Sequence, residues 1–576
     1  DQVDELRRKG VSASFINSSL SPEEQRREIE RCVAGEVRLL YVAPERFRVA
    51  SFREMLRRVA VARMAVDEAH CISEWGHDFR PDYRRLKPFR DELGGAPVTA
   101  LTATATPRVQ RDIIQCLGLS PGEVDVHVHG FERPNLHLSV LHKRDDAQKE
   151  EYLRSLLARE SGSGIIYVGT RRAADGLAAA LGAATPGVLA YHAGLDPESR
   201  ARAQEEFLSG RARVAVATIA FGMGIDKPDV RFVVHYHYPG SVEQYYQEIG
   251  RAGRDGAPAR CVLLYSSADR MLREFFVDLN YPPRTMIEEL YSFLWARPEN
   301  PVMMTYREIA RRLPGEAKEG QVGAALRLLD GAGVTRALEG TATAGIDILR
   351  PGAQVIATLR GDHQRRVFEA LAVSADLETP GRYEVDLRDA ARAAGLTEEQ
   401  ARRALSALDE AGALAYHPPF RGRGIEKLAS APPPFDRLPI DWRAQEALRR
   451  VEEEKLAQME AYIHEMSCRQ RFILRYFGET GGSDCCHCDR CDRRGGSEAE
   501  ADVLAAHPGI ALPVLHAVRH QRFPVGAALL AAVVTGSKQK KITRYGMNRN
   551  AAYGRVSARI EVVRDVIDRL REEGYL

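Results

Sequence analysis

At 576 residues the chain has room for about four domains, and 44% hydrophobic with 28% charged residues is ordinary globular composition. A formal net charge of +2 excludes a global field that would attract a polyanion, so any nucleic-acid surface must be local. No apolar run approaches membrane-spanning length and the first residues are charged, so neither an anchor nor a secretory signal is visible, and a cytoplasmic location (bacterial cytoplasm or nucleoid) is expected.

In chain order, the first half alternates short apolar runs with helical stretches, the pattern of βαβ units. Six runs read as buried parallel strands, at 37–42, 64–66, 98–101, 164–168, 214–217 and 232–234. A break near 120–135 separates two lobes, expected at 1–123 and 124–281. From about 282 the pattern becomes helical with short sheet-like pieces. Thr305 with Glu308 reads as a capping box, followed by a helix around 322–329. A similar arrangement recurs from Asp386 through Thr397 to Gly412, and two such copies suggest tandem winged-helix modules over 282–436. Generic helical packing modules are the alternative. Pro432, Pro433 and Pro434 read as a linker. Trp442, Leu448, Val451, Leu456, Met459, Ile463 and Met466 then recur at helical spacing as a core stripe in a 437–495 subdomain. A small module, 496–576, closes the chain.

Chemistry concentrates in a few strings. Asp67-Glu68-Ala69-His70 follows a strand: Asp67 suits Mg²⁺, Glu68 suits orienting and deprotonating a water, and His70 suits coupling to neighbouring segments. Thr102, Thr104 and Thr106 follow the next strand as a relay, or simply as turn caps. Between them, Trp75, His77, Phe79 and Arg80 interleave aromatic and basic groups with glycine and proline, as a single-strand contact loop would. A core aromatic is the alternative reading of Trp75. On the second lobe a glycine-rich turn carries Gly224 and Asp226 toward a nucleotide. Gln247, Arg251 and Arg254 are spaced along one helical side, where an arginine can neutralise developing phosphate charge. An acidic box and an arginine segment, one per lobe, point to an ATP-driven nucleic-acid motor.

Five of the nine cysteines lie between Cys468 and Cys491. Cys485, Cys488 and Cys491 run at metal spacing and Cys468 is the natural fourth ligand for tetrahedral Zn²⁺, a closed structural site. Cys486 and His487 are set aside because adjacent residues rarely bind one ion together. An iron–sulfur cluster is the alternative. Near the C-terminus Lys538, Lys540, Lys541, Arg544 and Arg549 surround 545–548, which reads as a β-hairpin.

Together these residues resemble the RecQ family of DNA helicases. The box and aromatic loop, 217–226, 247–256, the run from Cys468-Arg469-Gln470 through Tyr476-Phe477-Gly478-Glu479 with the cysteine triplet, and 534–575 with Gly536, Tyr553 and Gly554 all resemble family segments. The resemblance implies two RecA-like lobes, a helical zinc-binding subdomain and a C-terminal winged helix, in an α/β fold. It implies ATP-dependent 3′-to-5′ unwinding in DNA repair and recombination. A monomer acting on single strands and duplex junctions is expected, with no membrane partner and protein partners undefined. The resemblance also places Met547 at the hairpin tip, with Tyr545 near enough to substitute for a stacking ring. No Gly-x-x-x-x-Gly-Lys-Ser/Thr string occurs, and Asp1-Gln2-Val3 resembles a segment that follows that phosphate loop. Poor hydrolysis by this chain alone is therefore expected, as is the absence of a helicase-and-RNase-D-like C-terminal domain. An RNA helicase, a translocase without unwinding, and a winged-helix regulator without hydrolysis are the rival readings.

Overall fold

The computed structural model describes the chain except residues 1, 18–19, 77–78, 129, 223–224, 316, 339–343, 358, 360, 373–374, 418–423, 430, 480–482, 496–506, 521–524 and 573–575. It divides into two compact units, Asp1–Arg273 with Arg450–Leu576, and Glu274–Arg449.

In the first unit, the first lobe carries two parallel pairs, Ala13–Ile16 with Leu39–Val42 and Met64–Val66 with Val98–Ala100. The expectation of buried strands needs correction here: Leu39 and Tyr41 are each 39% exposed, because each pair stands as a separate two-stranded sheet among the described residues. The second lobe is a six-stranded parallel sheet ordered Leu136–His142, Ala259–Tyr265, Val230–His235, Ser163–Tyr167, Val214–Ala217, Val188–Tyr191. Its central strands are apolar on both sides and almost entirely buried, as a parallel sheet with both faces covered requires. Leu136–His142, Val188–Tyr191 and Ala259–Tyr265 are strands beyond the six expected.

The cysteine-bearing subdomain shares a core with the second lobe. Met459, Tyr462 and Ile463 of the helix Trp442–Ile463 pack with Tyr245, Ile249 and Leu263. Met466 lies beyond that helix and is 42% exposed, so it leaves the expected stripe. Phe477 stacks on Phe131 of the segment between the lobes, ring centroids 4.5 Å apart and nearly parallel, worth about 1 kcal/mol beyond the area it buries. The last module is built on Pro508–Arg519, Ala527–Val534 and Ile560–Glu572 around Val514, Leu530, Val563 and Ile567. The expected hairpin at 545–548 is not formed. The helix Lys540–Arg544 ends at Tyr545, Gly546 takes φ 67°, and Met547–Arg549 is a 3-10 turn. Gly after a helix end relieves the left-handed residue, so a glycine read as a hairpin turn is a helix stop.

The second unit contains both helix-and-strand copies, nested instead of sequential. Thr335–Leu338 pairs antiparallel with Gly424–Lys427, and between them lies a complete sheet, Gly381–Val385, Ala344–Ile348, Leu414–His417. Both capping boxes form, Thr305 with Glu308 and Thr397 with Gln400. The proline stretch is packed and is no free linker: Tyr291 Oη donates to Pro433 O at 2.8 Å and Phe435 is buried beside Tyr291.

Candidate functional site

The strand Met64–Val66 delivers Asp67 to the mouth of a cleft of about 1180 Å³. Glu68 adopts φ 47°, a left-handed conformation costly for a non-glycine residue and common where a side chain must be aimed. Asp67 Oδ1 accepts the Glu68 N–H at 2.8 Å. His70 is 2% exposed, and its Nδ1 lies 3.0 Å from Thr102 Oγ1 and 3.3 Å from Glu68 Oε2. Thr104 N–H donates to Thr102 Oγ1 at 3.3 Å, whereas Thr106 caps the helix Pro107–Cys116. Thr102 and Thr104 are thus bonded to each other and Thr102 to the box, whereas Thr106 is a helix cap.

The opposite wall comes from the second lobe. The helix Val242–Ile249 stops at Gly250, so Gln247 lies on it while Arg251 and Arg254 lie in the turn that follows. One helical side does not carry all three, because the helix ends at Ile249 and Gly253 (φ 56°) turns the chain between Arg251 and Arg254. All three still line the cleft with Asp67, Glu68 and Asp226. Arg254 pairs with Asp226. Arg251 Nε is buried without a hydrogen-bond acceptor among the described residues, a donor suited to an anionic oxygen. Beside it, burial raises the Tyr167 hydroxyl far above its ordinary range, keeping it a neutral donor to Phe221 O at 3.0 Å.

Arg133 and Asn135, absent from the expected set, hold this turn in place. Arg133 donates to Ala252 O at 2.9 Å, and Asn135 Nδ2 donates to Gly253 O at 2.7 Å and Ala257 O at 3.0 Å. A Cβ on Gly253 would stand 2.4 Å from Asn135 Nδ2, so only glycine admits the clamp. The sequence offers only a polar Arg-Pro-Asn string before a strand, which does not say what it binds.

Of the expected strand-contact residues, Trp75 is partly buried against the first-lobe core, with Arg108 3.7 Å over its ring. Phe79 has Arg84 5.3 Å from its ring, and Arg80 N–H donates to Cys71 O at 2.9 Å. His77 and Gly224 lie outside the described residues. Lys538, Lys540, Lys541, Arg544 and Arg549 are exposed. Tyr545 is 53% exposed, whereas Met547 is 2% exposed and belongs to the module's own core, so it is no tip residue.

Cys468, Cys485, Cys488 and Cys491 bring four sulfurs within 4.8 Å of one another. Cys468 precedes the helix Arg469–Tyr476, Cys485 and Cys488 sit on the turn entering the helix Asp489–Gly495, and Cys491 lies in its first turn. Hydrogen bonding from Cys485, opposed by burial and helped by backbone N–H groups including that of Arg469, holds the Cys488 thiol below its ordinary range. Burial pushes Cys491 up to about 11. Cys486 is exposed at φ 60° and stands apart from the group. Four thiol donors in this compass fit a structural Zn²⁺. Behind them Arg469, fully buried, pairs with Asp489 at 3.0 Å, and Asp489 accepts Val140 N–H of the second lobe at 3.1 Å.

Four family models match in chain order: DEAD/DEAH box helicase over 1–113, helicase conserved C-terminal domain over 148–256, RecQ zinc-binding over 431–492 and RQC domain over 510–576. The chain belongs to the RecQ family. It is 41% identical over 290 residues to the ATP-dependent DNA helicase RecQ of Haemophilus influenzae, covering 50% of this chain and 46% of that protein. It is 42% identical over 280 residues to its namesake in Bacillus subtilis, covering 48% and 46%, and 40% identical over 281 residues to the probable ATP-dependent DNA helicase RecS of the same organism, covering 48% and 56%. The chain thus spans about half the length of the curated RecQ relatives it matches. The matched segments leave residues 257–430, including most of the nested modules, between them.

Proposed function

We propose that this chain is the motor and duplex-gripping part of an ATP-dependent DNA helicase that moves 3′ to 5′, acting as a cytoplasmic monomer in repair and recombination. The observation that carries the reading is one cleft lined by Asp67 and Glu68 from one lobe and by Gln247, Arg251 and Arg254 from the other. In this reading Asp67 would hold Mg²⁺, which would supply charge neutralisation on the nucleotide's phosphates. Glu68 orients and deprotonates the attacking water, and its left-handed backbone keeps the carboxylate aimed into the cleft. Arg251 offers its unpaired Nε to the oxyanion charge that develops on the transferred phosphoryl group, with Arg254 alongside. The loop around Trp75 grips the single strand, and the basic C-terminal helix grips the duplex.

The test is DNA-stimulated ATP hydrolysis and strand separation by the full-length protein. Glu68→Gln should abolish turnover while leaving nucleotide and DNA binding intact. Absence of DNA-stimulated turnover in the unsubstituted protein would favour a winged-helix regulator without hydrolysis, and equal stimulation by RNA would favour an RNA motor.

A further inference from the structure

Lys455, midway along the helix Trp442–Ile463, is 7% exposed. Its Nζ donates to Gly76 O of the first lobe at 2.9 Å and pairs with Glu452 at 2.7 Å. Gly76 closes the turn after the acidic box: its N–H donates to Ser73 O at 3.0 Å, and a Cβ there would lie 2.4 Å from His70 O. Displacing Gly76 therefore disturbs His70, whose ring touches both Glu68 and Thr102. Trp75, one residue earlier, carries Arg108 from the helix that follows the threonines.

A second contact stands nearby. Gly478, at φ 88°, follows the helix Arg469–Tyr476, and a Cβ on it would stand 2.7 Å from Pro107 Cγ. The cysteine-bearing subdomain thus shares a core with the second lobe while touching the first lobe beside the box and beside the threonines. A buried ammonium bonded to a backbone carbonyl is expensive to place and expensive to leave half-satisfied, so the contact is held firmly.

We propose that Lys455 is a positioning residue: by holding Gly76 it fixes residues 71–76 against the acidic box, so that a strand bound at Trp75 is transmitted to hydrolysis at Glu68. The coupling half of this proposal rests on the ATPase reading above; the fixing of the loop does not. Lys455→Met keeps the aliphatic packing and removes the donor, and Lys455→Arg keeps a donor and the charge. Hydrogen exchange across residues 71–76 of the full-length protein should quicken by about tenfold in Lys455→Met, the equivalent of removing one buried hydrogen bond, while the cysteine-bearing subdomain stays protected. Lys455→Arg should recover most of that protection. In DNA-stimulated hydrolysis, the half-stimulating concentration of single strand should rise about tenfold by the same measure, with the unstimulated rate unchanged. Unaltered exchange in Lys455→Met overturns the proposal whether or not hydrolysis is measurable. Faster exchange with an unchanged half-stimulating concentration, or an altered unstimulated rate, overturns the coupling. Absence of stimulation in the unsubstituted protein overturns it too, and is distinguishable because the functional reading then fails while the exchange result stands.

Discussion

Gln247 of the second lobe donates from Nε2 to Thr104 Oγ1 of the first at 3.1 Å, a bond that spans 143 residues of sequence. Thr104 in turn bonds Thr102, and Thr102 lies against His70 of the acidic box. The two walls of the cleft are thereby joined by a chain of polar contacts that passes from Gln247 through the threonines and His70 to Glu68. A bond of this kind contributes about 1 kcal/mol net.

Gln247→Ala and Thr104→Val should each lower DNA-stimulated turnover by about five- to tenfold, the rate equivalent of that bond, with little change in melting temperature. The double variant should be no worse than the poorer single, because both remove one interaction. Steady-state kinetics on the four proteins decides it, and fully additive losses would show that the residues act separately.

Zn²⁺ removal should unfold the region from the helix Trp442–Ile463 to Cys491. Metal binds the folded site alone, so its binding energy is folding energy, on the order of 10 kcal/mol in small zinc domains. Cys488→Ser should lose the one equivalent of zinc found by elemental analysis and the protection of residues 442–491. Because Asp489 and Phe477 tie this subdomain to Val140 and Phe131, the second lobe should also soften. Iron with visible absorbance in place of zinc would indicate a cluster.

What could be read ahead from sequence follows from how local each cause is. The central strands of the second lobe are buried on both faces, so Ile165, Ile166, Val214 and Val216 form unbroken apolar runs. Cysteine spacing is likewise local, and the resemblance to the RecQ family was carried by short strings of that sort. The clamp of Arg133 and Asn135 was not legible, because its partners are backbone carbonyls at 250, 252, 253 and 257, which leave no side-chain pattern. Nesting escaped for the same reason: Arg336 faces Glu426 across a strand pair whose halves are separated by an entire module. At 545–548, tyrosine, glycine and asparagine suit a hairpin turn and a helix stop equally, and the burial of Met547 decides between them.

Acid should weaken the second lobe before it reaches ordinary carboxylate range. Burial, and then His464 and the cations Arg469, Arg490 and Arg571, push His142 down to about 3 from 6.5. His464, its ring 5.6 Å away, is lowered as well, first by burial. The unfolded chain takes up these protons below about pH 6.5 and the folded chain does not, so stability is full above that pH and falls as pH drops toward 3. His237, which burial also lowers to about 3, adds to the same trend. His142→Gln should therefore lose less melting temperature between pH 7 and pH 5 than the unsubstituted protein. Equal losses in thermal scans at the two pH values would reject the assignment.

The C-terminal module separates two neighbouring residues by role. Tyr545 is 53% exposed at the end of the helix Lys540–Arg544, with the Arg544 guanidinium 6.0 Å from its ring. Met547, two residues on, packs with Ile542, Ala532 and Val533. Met547→Ala should thus cost about 2–4 kcal/mol of module stability, as truncation of a buried methionine does, and alter duplex binding only through that loss. Tyr545→Ala should leave stability within about 0.5 kcal/mol and weaken binding to a duplex with a single-stranded tail. Lys540→Ala with Lys541→Ala should flatten the salt dependence of duplex affinity by roughly one unit of slope for each phosphate no longer neutralised, while single-strand-stimulated hydrolysis by the full-length protein persists. Chemical denaturation and salt-titrated binding on the same variants make the comparison. Loss of duplex binding in a still-folded Met547→Ala, with Tyr545→Ala unchanged, would return the methionine to the junction and overturn the helix-stop assignment at Gly546.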